Sequence, residues 1–339
     1  MKNIFYIHSH ITYFVAKGVI KYLGFNPDSL IYIISRSYQN DALSKSKCID
    51  FTLIHNELDS FGVLNFNKKL PLIKDVDNVL KNVLKDEEFR VFLPHVFHPI
   101  MQIIGTNTNC KELHIIEEGV NAYSNYFMHF KEKSIVKGVV KRILNLLPFV
   151  GKGRIFFIKN FDLRKFKKSI NPIFYTVTSK GFEGLPYEIV RVEMISEKVA
   201  QYTLKSNHVL VLEGAVEQGN LNLKPFLEGI KVILNDIKSD RIAVKFHPAQ
   251  NSKNKDKILR IIVDQNKEVE VIPDNIAFEQ IILNNPNLTV YGFATSLLFY
   301  AKEFGCKVKY YEHQLLKDNL FKEFRSKNDF NLSALLNES

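Results

Sequence analysis

The chain is 339 residues long and 46% hydrophobic, with a formal net charge of +10. That is enough to bury a substantial core, and the length favours two domains over one. Cys48, Cys110 and Cys306 are too widely spaced for a disulfide framework or a zinc pattern, which points to a reducing cytosol. No apolar run has the length of a membrane span or a signal peptide, and the absence of an RNA-binding fingerprint, zinc finger or basic-aromatic platform sets nucleic acid aside.

In chain order, Asn3 to His8 reads as a strand and Thr12 to Leu23 as the helix after it. Leu30 to Ser35, Phe89 to Leu93 and Glu112 to Ile116 follow as strands, with helices expected at Val76 to Leu84 and Pro99 to Gly105. Lys152 to Lys198 holds several Gly and Pro residues and reads as irregular, a place for a domain boundary. A second alternation then begins. His208 to Leu212, Arg241 to Phe246, Val269 to Ile272 and Leu288 to Tyr291 read as strands. Pro225 to Ile237, Ala277 to Leu283 and Ser296 to Phe304 read as helices. The expected fold is α/β, two Rossmann-like domains with parallel sheets facing a cleft, the GT-B arrangement. The domains are expected at 1–195, on the acceptor side, and 206–339, for the donor, with a C-terminal helical tail.

Much of the excess charge falls in 131–168, where Lys137, Lys141 and Arg142 share a helix-like segment with Ile135, Val139, Ile143 and Leu147. This is either the solvated face of a core-packing helix or a contact with an anionic membrane surface or lipid-linked acceptor.

Ligands in open parallel sheets sit beyond the carboxyl ends of the strands, and four segments of the second half fall at that edge. They are Glu213-Gly214-Ala215, His247-Pro248, Pro273 to Glu279, and Gly292 to Ser296. Thr295 and Ser296 open a helix, where free backbone N–H groups and two hydroxyls suit an anion; a plain N-cap is the alternative. Glu279 can accept hydrogen bonds from both hydroxyls of a ribose, or be a solvated helical glutamate. Proline after His247 biases its backbone to an extended form that aims the ring out of the strand end.

In the first half, Glu117 and Glu118 end a strand before Gly119. Their side chains should point to opposite sides, so at most one reaches the cleft, where a carboxylate can take a proton from an attacking hydroxyl. His98-Pro99 and His8 also follow strands, and are either acceptor-side residues or caps. The chain has no G-x-x-x-x-G-K-[ST] loop, G-x-G-x-x-G, nucleophile elbow or H-E-x-x-H, and no convincing Asp-x-Asp metal pair. Transfer from a donor with one phosphate, without a metal or other cofactor, fits that pattern.

These residues resemble the bacterial sialyltransferases, a group spanning lipooligosaccharide sialyltransferases, polysialyltransferases and multifunctional enzymes. The shared signatures are an acidic-acidic-Gly motif, here Glu117-Glu118-Gly119, and a His-Pro motif, here His247-Pro248. Ile272 to Glu279 is similar to the segment that binds the cytidine ribose, and Gly292 to Leu297 to the one that binds the phosphate. The resemblance implies CMP-sialic acid as donor and a glycan or glycolipid as acceptor. It implies Glu118 as general base, with Glu117 as the alternative, and His247 assisting departure of CMP. Glu279 would hold the ribose, Thr295 and Ser296 the phosphate, and backbone around Gly214 the nucleotide. The implied location is cytoplasmic, peripheral at the inner face of the membrane. Glutamates stand where aspartates are frequent, and threonine replaces the first serine. One rival is a CDP-glycerol-type polyol phosphotransferase, which typically carries an acidic residue where Ala294 stands. The other is a non-catalytic basic protein that binds anionic glycolipid.

Overall fold

The computed structural model describes residues 1–38, 43, 46–59, 66–123, 154, 171–195, 202–326 and 336. The chain divides into two compact units, Met1–Ile195 and Ser196–Ser339. Arg154 apart, the basic stretch 131–168 lies outside the described residues.

The first unit contains β1 (Lys2–Ile7), α1 (His10–Leu23), β2 (Leu30–Ile34), β3 (Cys48–Asp50), α2 (Thr52–Asp59) and α3 (Phe66–Leu84). It continues through β4 (Phe89–Leu93), α4 (Pro99–Gly105), β5 (Cys110–Ile116), β6 (Ile173–Thr176) and β7 (Glu188–Arg191). The strands form one sheet in the order β3-β2-β1-β4-β5-β6-β7, parallel throughout. A parallel sheet is covered on both faces, so its central strands are apolar without alternation. Ile4, Phe5, Tyr6 and Ile7 of β1, and Val91, Phe92 and Leu93 of β4, are fully buried.

The second unit contains β8 (His208–Val211), α5 (Leu223–Asp236), β9 (Arg241–Lys245), α6 (Ser252–Asp264), β10 (Glu268–Val271) and α7 (Phe278–Asn284). Then come β11 (Thr289–Gly292), α8 (Ser296–Glu303), β12 (Lys307–Tyr310), α9 (Glu312–Leu315) and α10 (Asn319–Ser326). Its sheet runs β10-β9-β8-β11-β12, again parallel. The edge strands β10 and β12 are half polar, because only one side of each strand is paired and part of each is exposed to water.

The expected strands and helices are present, most with ends displaced by one to three residues, while α3 begins at Phe66, ten residues before the expected Val76. Lys152 to Lys198 is a correction, because β6 and β7 lie inside it. Both are only four residues long, and β7 (Glu-Ile-Val-Arg) is a mostly exposed edge strand without the apolar run that marks a buried one. The helix α6 also went unread. Its sequence is strongly polar, and its core contact rests on Ile258 and Ile262.

Helix α1 begins at a capping box, with Ser9 and Thr12 satisfying each other's backbone, and ends at Gly24 with φ 64. That start fixes His8 and His10 at the end of β1. Along the helix, Gly18 meets the segment after β7 so closely that a Cβ there would lie 2.2 Å from the Glu193 carbonyl oxygen. Alanine normally favours a helix interior over glycine by about 1 kcal/mol. Here the obstacle is backbone, and overpacking costs about 1–3 kcal/mol. Gly18→Ala is therefore expected to lower the thermal unfolding midpoint, and a raised midpoint would show that the contact yields.

Candidate active site

In both units the strand order reverses between two central neighbours, β1 and β4 in the first, β8 and β11 in the second. Loops leaving the carboxyl ends of such a pair diverge to opposite sides of the sheet and open a crevice. The segments singled out from sequence emerge at these carboxyl edges.

At the edge of the first unit, Glu117 and Glu118 have different surroundings. Glu117 is fully buried. Its carboxylate accepts hydrogen bonds from Thr176 Oγ1 at 2.6 Å, the Val177 amide at 2.9 Å and the Tyr123 hydroxyl. This ties the end of β5 to β6. The Glu118 side chain turns to the histidines of the neighbouring loops, with Oε2 3.2 Å from His8 Nε2 and 3.7 Å from His95 Nε2. His8 follows β1 and His95 follows β4, so this cluster sits at the strand-order reversal.

The tautomers follow from the backbone. His95 Nδ1 accepts from the Phe97 amide at 3.2 Å, which leaves the proton of the neutral ring on Nε2, facing Glu118. Burial, the largest cause, pushes the His95 pKa down to about 4. At neutral pH it is therefore a polar neighbour of Glu118 and adds no positive charge beside it. His8 directs Nε2 at Glu118, while its buried Nδ1 has no hydrogen-bond partner among the described residues.

His98 caps α4, its Nδ1 accepting from the Ile100 amide at 3.3 Å, and its ring stacks on His55 at 3.9 Å. Burial pushes its pKa down to about 3. Sequence reading missed His95 and His55. Neither belongs to a dipeptide signature; for His95 the available signal was that it follows the strand Phe89 to Leu93, and His55 lies in a helix after β3, which the sequence did not mark.

At the edge of the second unit, His247 follows β9 and packs on Gly214. A Cβ on Gly214 would lie 2.6 Å from His247 Nδ1, so glycine is what lets the ring lie against that loop. Nδ1 accepts from the Ala249 amide at 3.1 Å, so the neutral ring carries its proton on Nε2 as a donor. The His247 backbone N–H donates to Gln250 Oε1 at 2.8 Å. Burial lowers the pKa of His247, and the charge of Glu217 opposes that shift. Glu217 Oε1 in turn accepts from Asn254 Nδ2 at 2.9 Å and from the Asn251 amide at 3.3 Å, bracing the turn after His247.

Lys245 does not face a ligand. Its ammonium donates to the carbonyls of Pro273 at 2.7 Å, Ile276 at 2.8 Å and Asp274 at 3.3 Å, which ties down the loop leading to Glu279. Glu279 lies buried in the first turn of α7, its pKa raised by desolvation and drawn back by its own amide and by Lys245. Thr295 is the N-cap of α8, Oγ1 accepting from the Leu297 amide at 3.4 Å, and Ser296 opens the helix.

Glu213, just after β8, is buried with Oε1 lacking a hydrogen-bond partner among the described residues. Desolvation, with repulsion from Glu312 second, pushes its pKa up to about 8, against the pull of the Ala294 amide and Arg325.

The lone Asp-x-Asp triplet, Asp75-Val76-Asp77, lies in α3. Asp77 accepts from Asn107 and Arg154, both at 2.9 Å, beside a cavity at the opposite, amino-terminal edge of the sheet. Among the described residues no group of three or more His, Cys, Asp or Glu side chains is placed to hold a metal ion. No described helix is long and apolar enough to cross a membrane.

The family model of the alpha-2,8-polysialyltransferases (POLYST) matches residues 51–313, taking in both edges. The chain belongs to this family. It is therefore a glycosyltransferase of the sialyltransferase kind, and the family implies a nucleotide-sugar donor and a glycan acceptor. Comparison with curated proteins returns no match.

Among solved structures, a Listeria monocytogenes protein described as a UDP-N-acetylglucosamine 2-epimerase aligns with a TM-score of 0.51. The identity is 11%, covering 91% of this chain and 78% of that one. S. aureus MnaA aligns with a TM-score of 0.50 at 10% identity, with the same coverage. A sialyltransferase from Photobacterium damsela aligns with a TM-score of 0.49 at 15% identity, covering 95% of this chain and 78% of that one. The fold is of the GT-B class, two α/β units with parallel sheets.

The raised pKa of Glu213 has a consequence for stability. Folded, the group keeps its proton to about pH 8; unfolded, it releases it near its ordinary value of 4.5. Between these values the native state binds more protons, so stability falls as pH rises through the window. Glu213→Gln keeps the shape and removes the titration. Its thermal midpoint should fall less than that of the wild type between about pH 5 and pH 8.5. Parallel pH profiles would show that Glu213 is ionised in the fold.

Proposed function

We propose that this chain moves a sialic acid, or a related nonulosonic acid, from its CMP-activated form to a sugar hydroxyl of a surface glycan. Lipooligosaccharide or capsule is the acceptor class. The reaction is an inverting displacement without a metal ion. The observation that carries this reading is the unequal placement of Glu117 and Glu118. One carboxylate is consumed inside the unit, while the other stands at the carboxyl edge of the sheet beside His8 and His95.

In the proposed step, Glu118 accepts the proton of the acceptor hydroxyl as its oxygen attacks the anomeric carbon of the donor sugar. The bond from that carbon to the phosphate oxygen breaks, and CMP leaves with the electron pair. The configuration at the carbon inverts because there is one displacement. His247 supports the departing phosphate through Nε2–H, the donor left by its Nδ1 contact with the Ala249 amide. Thr295, Ser296 and the start of α8 offer further donors to the phosphate. Glu279 accepts from the ribose hydroxyls, and the backbone at Gly214 meets the nucleotide. His8 orients Glu118, and His98 lines the acceptor side as the cap of α4. The proposed setting is the cytoplasmic face of the membrane, with the basic stretch 131–168 toward anionic lipid.

Replacing Glu118 by Gln preserves size and polarity and removes the base. Turnover should fall by about 10²–10⁴-fold, the range of general acid–base catalysis, with CMP affinity by calorimetry nearly intact. Glu117→Gln should act mainly on the melting temperature, because Glu117 holds β5 to β6. Full transfer by Glu118→Gln would remove the assignment.

Activity should also survive EDTA, since a monophosphate leaving group can be met by fixed protein donors. Complete loss in EDTA, restored by magnesium or manganese, would reverse that part of the reading.

A further inference from the structure

The loop after β8 makes one tight turn. The Gln218 amide donates to the Gly214 carbonyl at 3.0 Å, the Asn220 amide to the Ala215 carbonyl at 2.8 Å, and Gly219 closes the turn with φ 73. Gly214 and Glu217 stand three residues apart in it, a spacing that brings both to one side of a helical turn. Both meet the segment that follows β9. Gly214 lies against the His247 ring, and Glu217 reaches the start of α6. There Glu217 Oε1 accepts from Asn254 Nδ2 at 2.9 Å and from the amide and side chain of Asn251, both at 3.3 Å. Asn251 is the N-cap of α6, so the carboxylate stands where the helix favours negative charge.

Between these two contacts the His-Pro turn is closed on itself. The His247 N–H donates to Gln250 Oε1 at 2.8 Å, and the Gln250 amide donates back to the His247 carbonyl at 2.9 Å. The Ala249 amide holds Nδ1 at 3.1 Å, and Asn251 Oδ1 accepts from the Asn254 amide at 2.9 Å. His247 to Asn254 is thus one hydrogen-bonded block, attached to the loop after β8 at Gly214 and at Glu217.

Charge acts through the same attachment. Glu217 is the charged group that acts on His247, favouring the imidazolium against burial. Its Oε2 is buried without a hydrogen-bond partner among the described residues. Other charges on these elements are directed elsewhere. Lys245 is spent on backbone carbonyls, Lys255 is held by Asp274 and the Phe246 ring, and Glu213 keeps its proton to about pH 8.

We propose that Glu217 is a positioning residue for the transfer, holding the His-Pro block against the Gly214 loop and so fixing where His247 Nε2–H meets the departing phosphate. This rests on the transferase reading above. Glu217 touches neither donor nor acceptor and acts through His247. Misplacement of a group that meets charge formed in the transition state lowers turnover more than binding.

The test compares wild type, Glu217→Ala and Glu217→Gln. Turnover is measured with CMP-sialic acid and a panel of neutral and sialylated galactosides, and thermal melting checks folding. In histidine-labelled protein the His247 ring is titrated by NMR, its signal identified by its absence in His247→Gln. Glu217→Ala should lower kcat about tenfold or more. Glu217→Gln should recover most of that loss, because its amide oxygen can still accept from Asn251 and Asn254. The same variant lacks the charge, so the His247 midpoint should fall by about half a pH unit or more. A kcat within about twofold of wild type in Glu217→Ala, or an equal loss in both variants, overturns the placement role. A His247 midpoint within about 0.2 unit of wild type in Glu217→Gln overturns the proposal as well, and decides it if Glu217→Ala fails to fold. These outcomes leave the transferase reading standing. No CMP release by the wild type with any acceptor overturns that reading and this proposal together.

Discussion

The reversal of strand order is the constraint on which the rest depends. In each unit the chain builds one half of the sheet outward, returns past its first strand, and builds the other half. Loops at that point cannot cover each other, so they leave an opening at the carboxyl edge. The opening in the first unit falls between the loops carrying His8 and His95. In the second it falls between the loops carrying Gly214 and Thr295. Largely apolar central strands fix these edges, because their positions are set by packing on both faces.

The acidic pair shows how such an edge sorts chemistry. Successive residues at a strand end point to opposite sides, and here the two directions meet different surroundings. Glu117 meets Thr176, the Val177 amide and Tyr123, which supply the hydrogen bonds that a buried carboxylate requires. Glu118 meets His8 and His95, whose loops come from β1 and β4. Adjacent residues of one type therefore serve as an internal tie and as the edge carboxylate. The low pKa of His95 belongs to the same arrangement, since it leaves Glu118 beside a neutral ring on that side.

The alternation of strand and helix was legible because parallel strands are continuous apolar runs, as in Ile4 to Ile7 and Ile242 to Val244. The short edge strands β6 and β7 were not, since four residues on a partly wet edge carry no such run. The placement of Glu117 and Glu118 on two sides followed from strand geometry, while their partners required the fold. His95 comes from the loop after β4 and His55 from helix α2, and both are placed by tertiary structure alone. Lys245 ends β9 two residues before His247, and its donors go to backbone carbonyls, a pairing that no local pattern encodes.

That use of Lys245 changes the physical character of its edge. A lysine with its donors spread over the carbonyls of Pro273, Asp274 and Ile276 has none left for a phosphate. Its neighbour Lys255 is paired to Asp274 at 3.0 Å. An anion arriving there meets amide dipoles, hydroxyls and an imidazole N–H in place of mobile cations. Such a site holds by short-range, directional contacts that dissolved ions screen little, in contrast to the long-range attraction of exposed charges. Discrimination among anions at such an edge depends on shape and hydrogen-bond geometry.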